Sequence, residues 1–169
     1  MKKMVCTLAL LLIGAAAMAQ NYIVVNSEKV FKSIAAYNTA IEELDNLAKN
    51  YQQWVDAKFE EVEKLYNSYQ QQKASLSAST RTTIEQQILQ KEEEAQKYQQ
   101  EVFGDEGTMM KLREEKLKPI QDRVFKLIDE YAVKNGYGLV LDIASNPTVL
   151  YYAPATDKTQ EIIKIVNNN

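Results

Sequence analysis

The chain has no histidine, a single cysteine at position 6, three prolines and five glycines in 169 residues. Each scarcity removes a class of chemistry. Without histidine, the commonest general base and the commonest metal ligand are both missing. With Cys6 at the start and no cysteine after it, nucleophilic or metal chemistry would rest on carboxylates, hydroxyls or lysine. No glycine-rich phosphate loop, GxSxG elbow or paired metal motif is present. Two aspartates remain as catalytic candidates, yet Asp142 is expected to serve a sheet edge and Asp157 a helix cap. The sequence therefore reads as a non-enzyme, with no catalytic residue, metal or cofactor. Long apolar runs are equally scarce. The one at residues 5–17 is well short of the roughly 20 residues that span a bilayer.

That run has the form of a secretory leader. Lys2 and Lys3 precede it, and Ala17-Met18-Ala19 closes it with small residues at both positions that a signal peptidase reads. Residues 1–19 are expected to be removed after Ala19, leaving no stable membrane insertion. Cys6 leaves with them, and it is too far upstream of the cleavage point to become a lipid-modified first residue. The remaining 150 residues are thiol-free, which an oxidising compartment permits. Losing Lys2 and Lys3 moves the formal charge from −3 to −5. Such a chain lacks the clustered lysine and arginine that nucleic acid or anionic lipid requires. No nucleic-acid partner is expected.

What the chain does have is a long heptad pattern. Tyr22-Ile23-Val24-Val25 reads as a short strand, and Asn26-Ser27 offers an N-cap that leads into a first helical arm. Counting by sevens, Ile34, Ile41, Ala48, Val55, Val62, Tyr69 and Leu76 form one seam position. Tyr37, Leu44, Tyr51, Lys58, Leu65 and Gln72 form the other. Lys58 and Gln72 interrupt the seam toward its far end. A serine- and threonine-rich stretch at residues 74–80 reverses the chain. The return arm reads Ile84, Ile88, Ala95, Tyr98, Val102, Met109 and Leu112, then slips in phase to Leu117, Ile120, Val124, Leu127 and Tyr131. Forty or so helical residues per arm would measure about 60 Å.

Two features interrupt the return arm. Pro119 lies at the phase slip and is expected to kink a continuous helix there, since Lys118 is a poor cap for a new one. Gly104 and Gly107, read as interior helix residues, weaken the arm by about 1 kcal/mol each relative to alanine. One reading makes them a flexible point, so that Gly104, Gly107 and Pro119 are hinge candidates. The other makes the glycines a tolerated bulge or a close helix contact. On the helical reading, alanine at both positions would raise helicity and stability by up to about 2 kcal/mol. Asp105 and Glu106 between them lack the alternating oxygen ligands of a calcium loop.

After a stop at Asn135-Gly136, residues 137–143 and 148–153 are expected to form two strands around a turn at residues 144–147. A last helix follows, capped by Asp157 or Thr159 and apolar along Ile162, Ile163 and Val166. So small a body would complete its core by oligomerising. The fold class is α+β: a long antiparallel helical hairpin, a coiled-coil-like arm, on a small strand-bearing oligomerisation body. The body spans about residues 20–36 and 117–169, and the arm about residues 37–116.

Over nearly its whole length after the leader, the chain resembles the Skp/OmpH family of periplasmic chaperones for outer-membrane proteins. The matching residues are Ile23-Val24-Val25-Asn26 with Glu28-Lys29-Val30-Phe31, and Leu117-Lys118-Pro119-Ile120-Gln121-Asp122-Arg123-Val124. Tyr137-Gly138-Leu139-Val140-Leu141-Asp142, Val149-Leu150-Tyr151-Tyr152 and Asp157-Lys158-Thr159 complete the set. The resemblance implies a periplasmic homotrimer whose arms enclose a cavity for unfolded β-barrel proteins, held without ATP. The chain departs from the family in its acidity, so no lipopolysaccharide site is carried over. It departs again at Lys158, where the family has an apolar residue.

Some arm residues exceed what a two-helix seam needs. Trp54, Phe59 and Tyr66 fall at flanking heptad positions, and Leu89, Phe103 and Met110 share one off-seam position on the return arm. This second stripe is either a client-contacting wall, where methionine and aromatics adapt to many partners, or wider packing within the hairpin or between subunits. The competing functional class is a secreted coiled-coil scaffold or adaptor that binds one folded partner.

Overall fold

The computed structural model describes residues 22–144 and 148–168. The leader at 1–19 with its cleavage point and Cys6, and the turn residues 145–147, lie outside the described residues. In chain order the elements are β1 (Tyr22–Val25), α1 (Ser27–Lys32), α2 (Ala35–Gln72), α3 (Ala78–Phe103), α4 (Thr108–Asn135), β2 (Leu139–Asp142), a 3-10 turn (Pro154–Thr156) and α5 (Thr159–Asn168). The chain forms two compact units. Of the described residues, those from 22 to 38 and from 119 onward make up a body, and those from 39 to 118 an arm.

The body is built around β1. Ile23, Val24 and Val25 are all essentially fully buried, as expected for a strand covered on both faces. On one side β1 pairs in parallel with β2, from Tyr22 opposite Leu139 to Val25 opposite Asp142. On the other it makes a single parallel bridge, Val24 to Asp157, where Lys158 N–H donates to the Val24 carbonyl at 3.0 Å. A parallel pair cannot be closed by a tight turn, and here the crossover is the entire helical arm. Val30, Phe31 and Ile34 from the first helical segment, Val124 from α4, and Ile162 and Val166 from α5 close the core over the strand.

Caps fix the ends of these elements. Asn26 Oδ1 accepts from Lys29 N–H at 2.9 Å at the start of α1, as the sequence implies. Ser33 then turns its hydroxyl back to the Val30 carbonyl at 2.7 Å, and the first helix ends there, so Ser33 and Ile34 divide the single arm expected to run on from the Asn26-Ser27 cap. Gly136, at φ +74°, ends α4 in the left-handed region, where Tyr137 N–H reaches the Ala132 carbonyl at 2.9 Å. Asp157 Oδ1 accepts from Thr159 N–H at 2.9 Å at the start of α5. The Thr159 hydroxyl accepts in turn from Asn26 N–H at 2.9 Å, so the two helix starts share one junction. The largely covered Lys158 side chain reaches Glu161 at 3.4 Å, and its place in the chain is carried by its backbone bond to β1.

Two expectations about the elements are corrected. Residues 148–153 form no strand: a strand needs a partner for its backbone groups, and Leu150 and Tyr151 stand 93% and 83% exposed with nothing beside them in one chain. Gly104 and Gly107 are not interior helix residues either. The return arm is two helices, and Gly104-Asp105-Glu106-Gly107 is a tight turn between them, closed by Gly107 N–H to the Gly104 carbonyl at 2.8 Å. Pro119 lies within α4, which runs through it without a second start.

Within the arm, the seam positions are buried or half-buried from Ile41 to Leu76, apart from Gln72 at the very end of α2. From Thr39 to Gln72 that helix is roughly 50 Å long. Lys58 does not break the seam: its ammonium sits 5.2 Å from the Tyr98 ring centroid, and its stem covers apolar surface on the way. Lys91 to Glu61 at 2.8 Å and Lys116 to Glu43 at 2.7 Å bridge the two sides of the hairpin. Hydrogen bonding to these partners raises both lysine pKa values and lowers that of Glu61. All are exposed pairs that set register more than they stabilise. Near the reversal, Tyr69 is buried and donates its hydroxyl to Glu85, which raises the phenol's pKa. Ser77, at the end of the turn, caps α3 through Thr80 N–H.

Candidate functional site

The six off-seam residues divide by position and exposure. On α2, Trp54 is 65% exposed and Tyr66 48%, while Phe59 is half-buried. On the return side, Leu89 is 65%, Met110 53% and Phe103 39% exposed. Large apolar groups left this open on a hairpin whose seam is already filled exceed what the single chain needs for its own core. The cross-arm contacts Lys91–Glu61 and Tyr69–Glu85 fix the antiparallel register and place Tyr66 level with Leu89. Phe103 and Met110 come together physically. With Leu44, Ala48 and Met109 they line an open cavity of 290 Å³ beside the Gly104–Gly107 turn, rimmed by Asp45, Asp105 and Arg113. Trp54, Phe59, Tyr66 and Leu89 do not contribute to it.

The cavity lies against this turn. The turn ends α3 at Phe103 and starts α4 at Thr108, and apolar residues from both of its sides line the open cavity. The hydrophobic pattern alone carries no mark of the cavity. The two glycines are the only signal for it, and they gain their meaning from the turn.

The body has an uncovered apolar set of its own that the sequence pattern does not single out. Phe125 and Leu139 are each about half-exposed, Val133 is 72% exposed, and Leu150 and Tyr151 are almost bare. Phe125 lines a small apolar cavity of 210 Å³ with Val25, Ile128 and Val140, next to the β2 edge. Phe125 also meets Phe31 edge-on at 5.9 Å between centroids, so it is held in place while remaining open.

Asp142 is a structural carboxylate. It accepts from Ser27 N–H at 3.1 Å, the Ser27 hydroxyl at 2.5 Å and Ala144 N–H at 3.0 Å, tying β2 to the start of α1. Burial pushes its pKa up, but the hydrogen bonds from Ser27 and Ala144 together outweigh this and leave it below the ordinary carboxylate value. A depressed folded-state pKa contributes stability that is present above the unfolded value and lost as pH falls through the folded one. Asp142→Ala is therefore expected to cost about 1 kcal/mol near neutral pH, with the difference from wild type closing below the ordinary carboxylate range. Urea unfolding followed at neutral and strongly acidic pH checks this. A difference that persists unchanged in acid would show that the carboxylate charge is not what matters. No group of His, Cys, Asp and Glu side chains able to hold a metal occurs among the described residues. None of their helices is long and apolar enough to cross a membrane.

Comparison with known proteins now identifies the class. Residues 21–166 match the family described as outer membrane protein (OmpH-like), and the chain belongs to that family. Among characterised relatives, the chaperone protein Skp of Yersinia enterocolitica is 26% identical over 173 residues, covering 98% of this chain and 99% of the relative. The Skp chaperones of Photorhabdus laumondii and Photorhabdus luminescens are each 27% identical over 171 residues, with the same coverage. None of these comparisons indicates an enzyme family.

Proposed function

We propose that this protein is a periplasmic, ATP-independent holdase that binds unfolded outer-membrane β-barrel proteins between helical arms and keeps them from aggregating. The observation that carries this reading is the set of large apolar residues left open along the arm, in a chain whose end-to-end relatives are named chaperones. Trp54, Phe59, Tyr66, Leu89, Phe103 and Met110 form the client wall. Many adaptable apolar contacts of modest strength suit a partner with no fixed shape, whereas a scaffold for one folded partner would concentrate its contacts. Gly104, Gly107 and Pro119 serve as the points where the return arm accommodates clients of different size. The leader at residues 1–19 delivers the chain to the periplasm.

The working form is a homotrimer assembled through the body. Support comes from the bare Leu150 and Tyr151, the open Phe125 and Leu139, and the outer edge of β2, all of which a neighbouring subunit would cover. Light scattering on the purified protein is expected to give three times the mass of the mature chain, and removal of residues 51–98 is expected to leave that stoichiometry intact while ending client binding. A monomer at micromolar concentration would rule the assembly out. The functional test is whether the protein suppresses light scattering by an unfolded β-barrel diluted from urea; tight binding to one folded partner without any such protection would favour the scaffold.

A further inference from the structure

The negative charge of the chain is not spread evenly. Residues 39–118 carry sixteen Asp and Glu against eleven Lys and Arg, a net charge of −5, while residues 20–38 and 119–169 carry seven of each. The arm is acidic and the body is neutral. Many of the arm's cations are also occupied. Lys64, Lys73, Lys91, Lys97 and Lys116 each lie within 4 Å of a glutamate, and Lys58 lies over Tyr98. Glu61 and Glu85 on the arm are paired, but three carboxylates beside the apolar stripe are placed differently. Glu63 is one helical turn from both Phe59 and Tyr66, Glu93 one turn from Leu89, and Glu114 one turn from Met110. All three are exposed and enter no ion pair among the described residues. The stripe is therefore an apolar surface bordered mainly by carboxylates, with Lys58 and Arg113 the cations one turn from Trp54 and Met110.

We infer that this surface selects its clients by charge, taking unfolded chains that are net positive or carry basic segments near their apolar stretches and disfavouring acidic ones. The inference rests on the holdase reading above and adds the partner's chemistry to it. Apolar contact supplies the holding energy, which is nearly indifferent to sequence. The charge rim decides which chains approach and stay, because like charges brought to a surface are penalised and opposite charges are steered toward it.

The test uses one unfolded outer-membrane β-barrel protein in two forms, one with loop carboxylates changed to amides and one with loop lysines and arginines changed to glutamine. Binding to the purified protein is measured by fluorescence at ~0.01 M and ~0.15 M ionic strength, where charges are screened over about 30 Å and about 8 Å. The positive form is expected to bind about tenfold more tightly at low ionic strength, with the gap narrowing as salt rises. In Glu63→Lys/Glu93→Lys/Glu114→Lys, which moves the arm from −5 to +1, the preference is expected to vanish or invert. Lysine and glutamate are near-equal helix formers, so helicity measured by circular dichroism should hold. Equal affinity for both forms in wild type would overturn the inference and leave the holdase reading standing. Failure to bind either form would overturn both.

Discussion

A variant carrying Trp54→Ser, Tyr66→Ser and Phe103→Ser is expected to lose its protection of an unfolded β-barrel while keeping the oligomeric mass and helicity of wild type. The contrast comes from where these side chains sit. At 65% and 48% exposure Trp54 and Tyr66 contribute little to the folded chain, and such exposed substitutions shift stability by about 0.5 kcal/mol or less each, while Phe103, 39% exposed beside the turn, is expected to cost on the order of 1 kcal/mol. Against a client the same rings become buried, and covering one aromatic is worth roughly 1.5 to 3 kcal/mol. Losing three contacts, even partly redundant ones, lowers affinity by orders of magnitude. A control separates this from unfolding. Leu44 is 3% exposed in the arm's seam, and Leu44→Ala is expected to cost about 2 to 5 kcal/mol of stability, so its loss of function would be accompanied by melting. Should the triple variant protect as well as wild type, the three residues are packing and the client wall lies elsewhere. Added salt is expected to change the ranking of clients more than the holding itself, since the wall is apolar and the charge only borders it.

Periodicity made the hairpin legible. The a/d positions from Ile41 through Leu65, and Ile84 through Leu112 on the return, are the residues that the arm hides, because a two-helix seam must repeat every seven residues to stay buried. The phase slip beginning at Leu117 was equally readable, and it coincides with the change from arm to body at Pro119. Two things were not visible. Residues 148–153 have the β-branched and aromatic composition of a strand, yet composition reports only suitability for a pleated surface and not the presence of a pairing partner. In one chain the partner is missing, and Leu150 and Tyr151 stay open. The stripe was legible as a set of off-seam apolar residues, but whether each faced inward or outward depended on local helix phase. Phe59 turns halfway in while Trp54, five residues earlier, turns out.

The glycines show how a correct residue can carry an incorrect conformation. Gly104→Ala with Gly107→Ala is expected to destabilise the arm, the opposite of what a continuous helix would give. Gly104 has extended backbone, φ −66° and ψ 171°, so helix propensity does not apply to it. Neither glycine has a positive φ, which means that the restriction is one of space and not of handedness. A Cβ at Gly104 would come within 2.5 Å of the Gln100 carbonyl oxygen and would also strike the Gln100 side chain. At Gly107 it would come within 2.6 Å of the Val102 carbonyl oxygen. The side-chain amide of Gln100 could move aside, but the helical carbonyls of Gln100 and of Val102, the latter 3% exposed in the seam, have little room to give. Forcing a methyl into so tight a turn costs about 1 to 3 kcal/mol. Thermal unfolding of the double variant should shift downward, and hydrogen exchange over residues 102–110 should quicken. Both single variants should contribute, since each Cβ would meet a backbone carbonyl oxygen, at 2.5 Å from Gly104 and 2.6 Å from Gly107. Slower exchange and a higher melting temperature would instead mean that the chain had rewound residues 104–107 into helix. In that event the 290 Å³ cavity beside Phe103 and Met110 would close, and client binding at that end of the arm would fall with it.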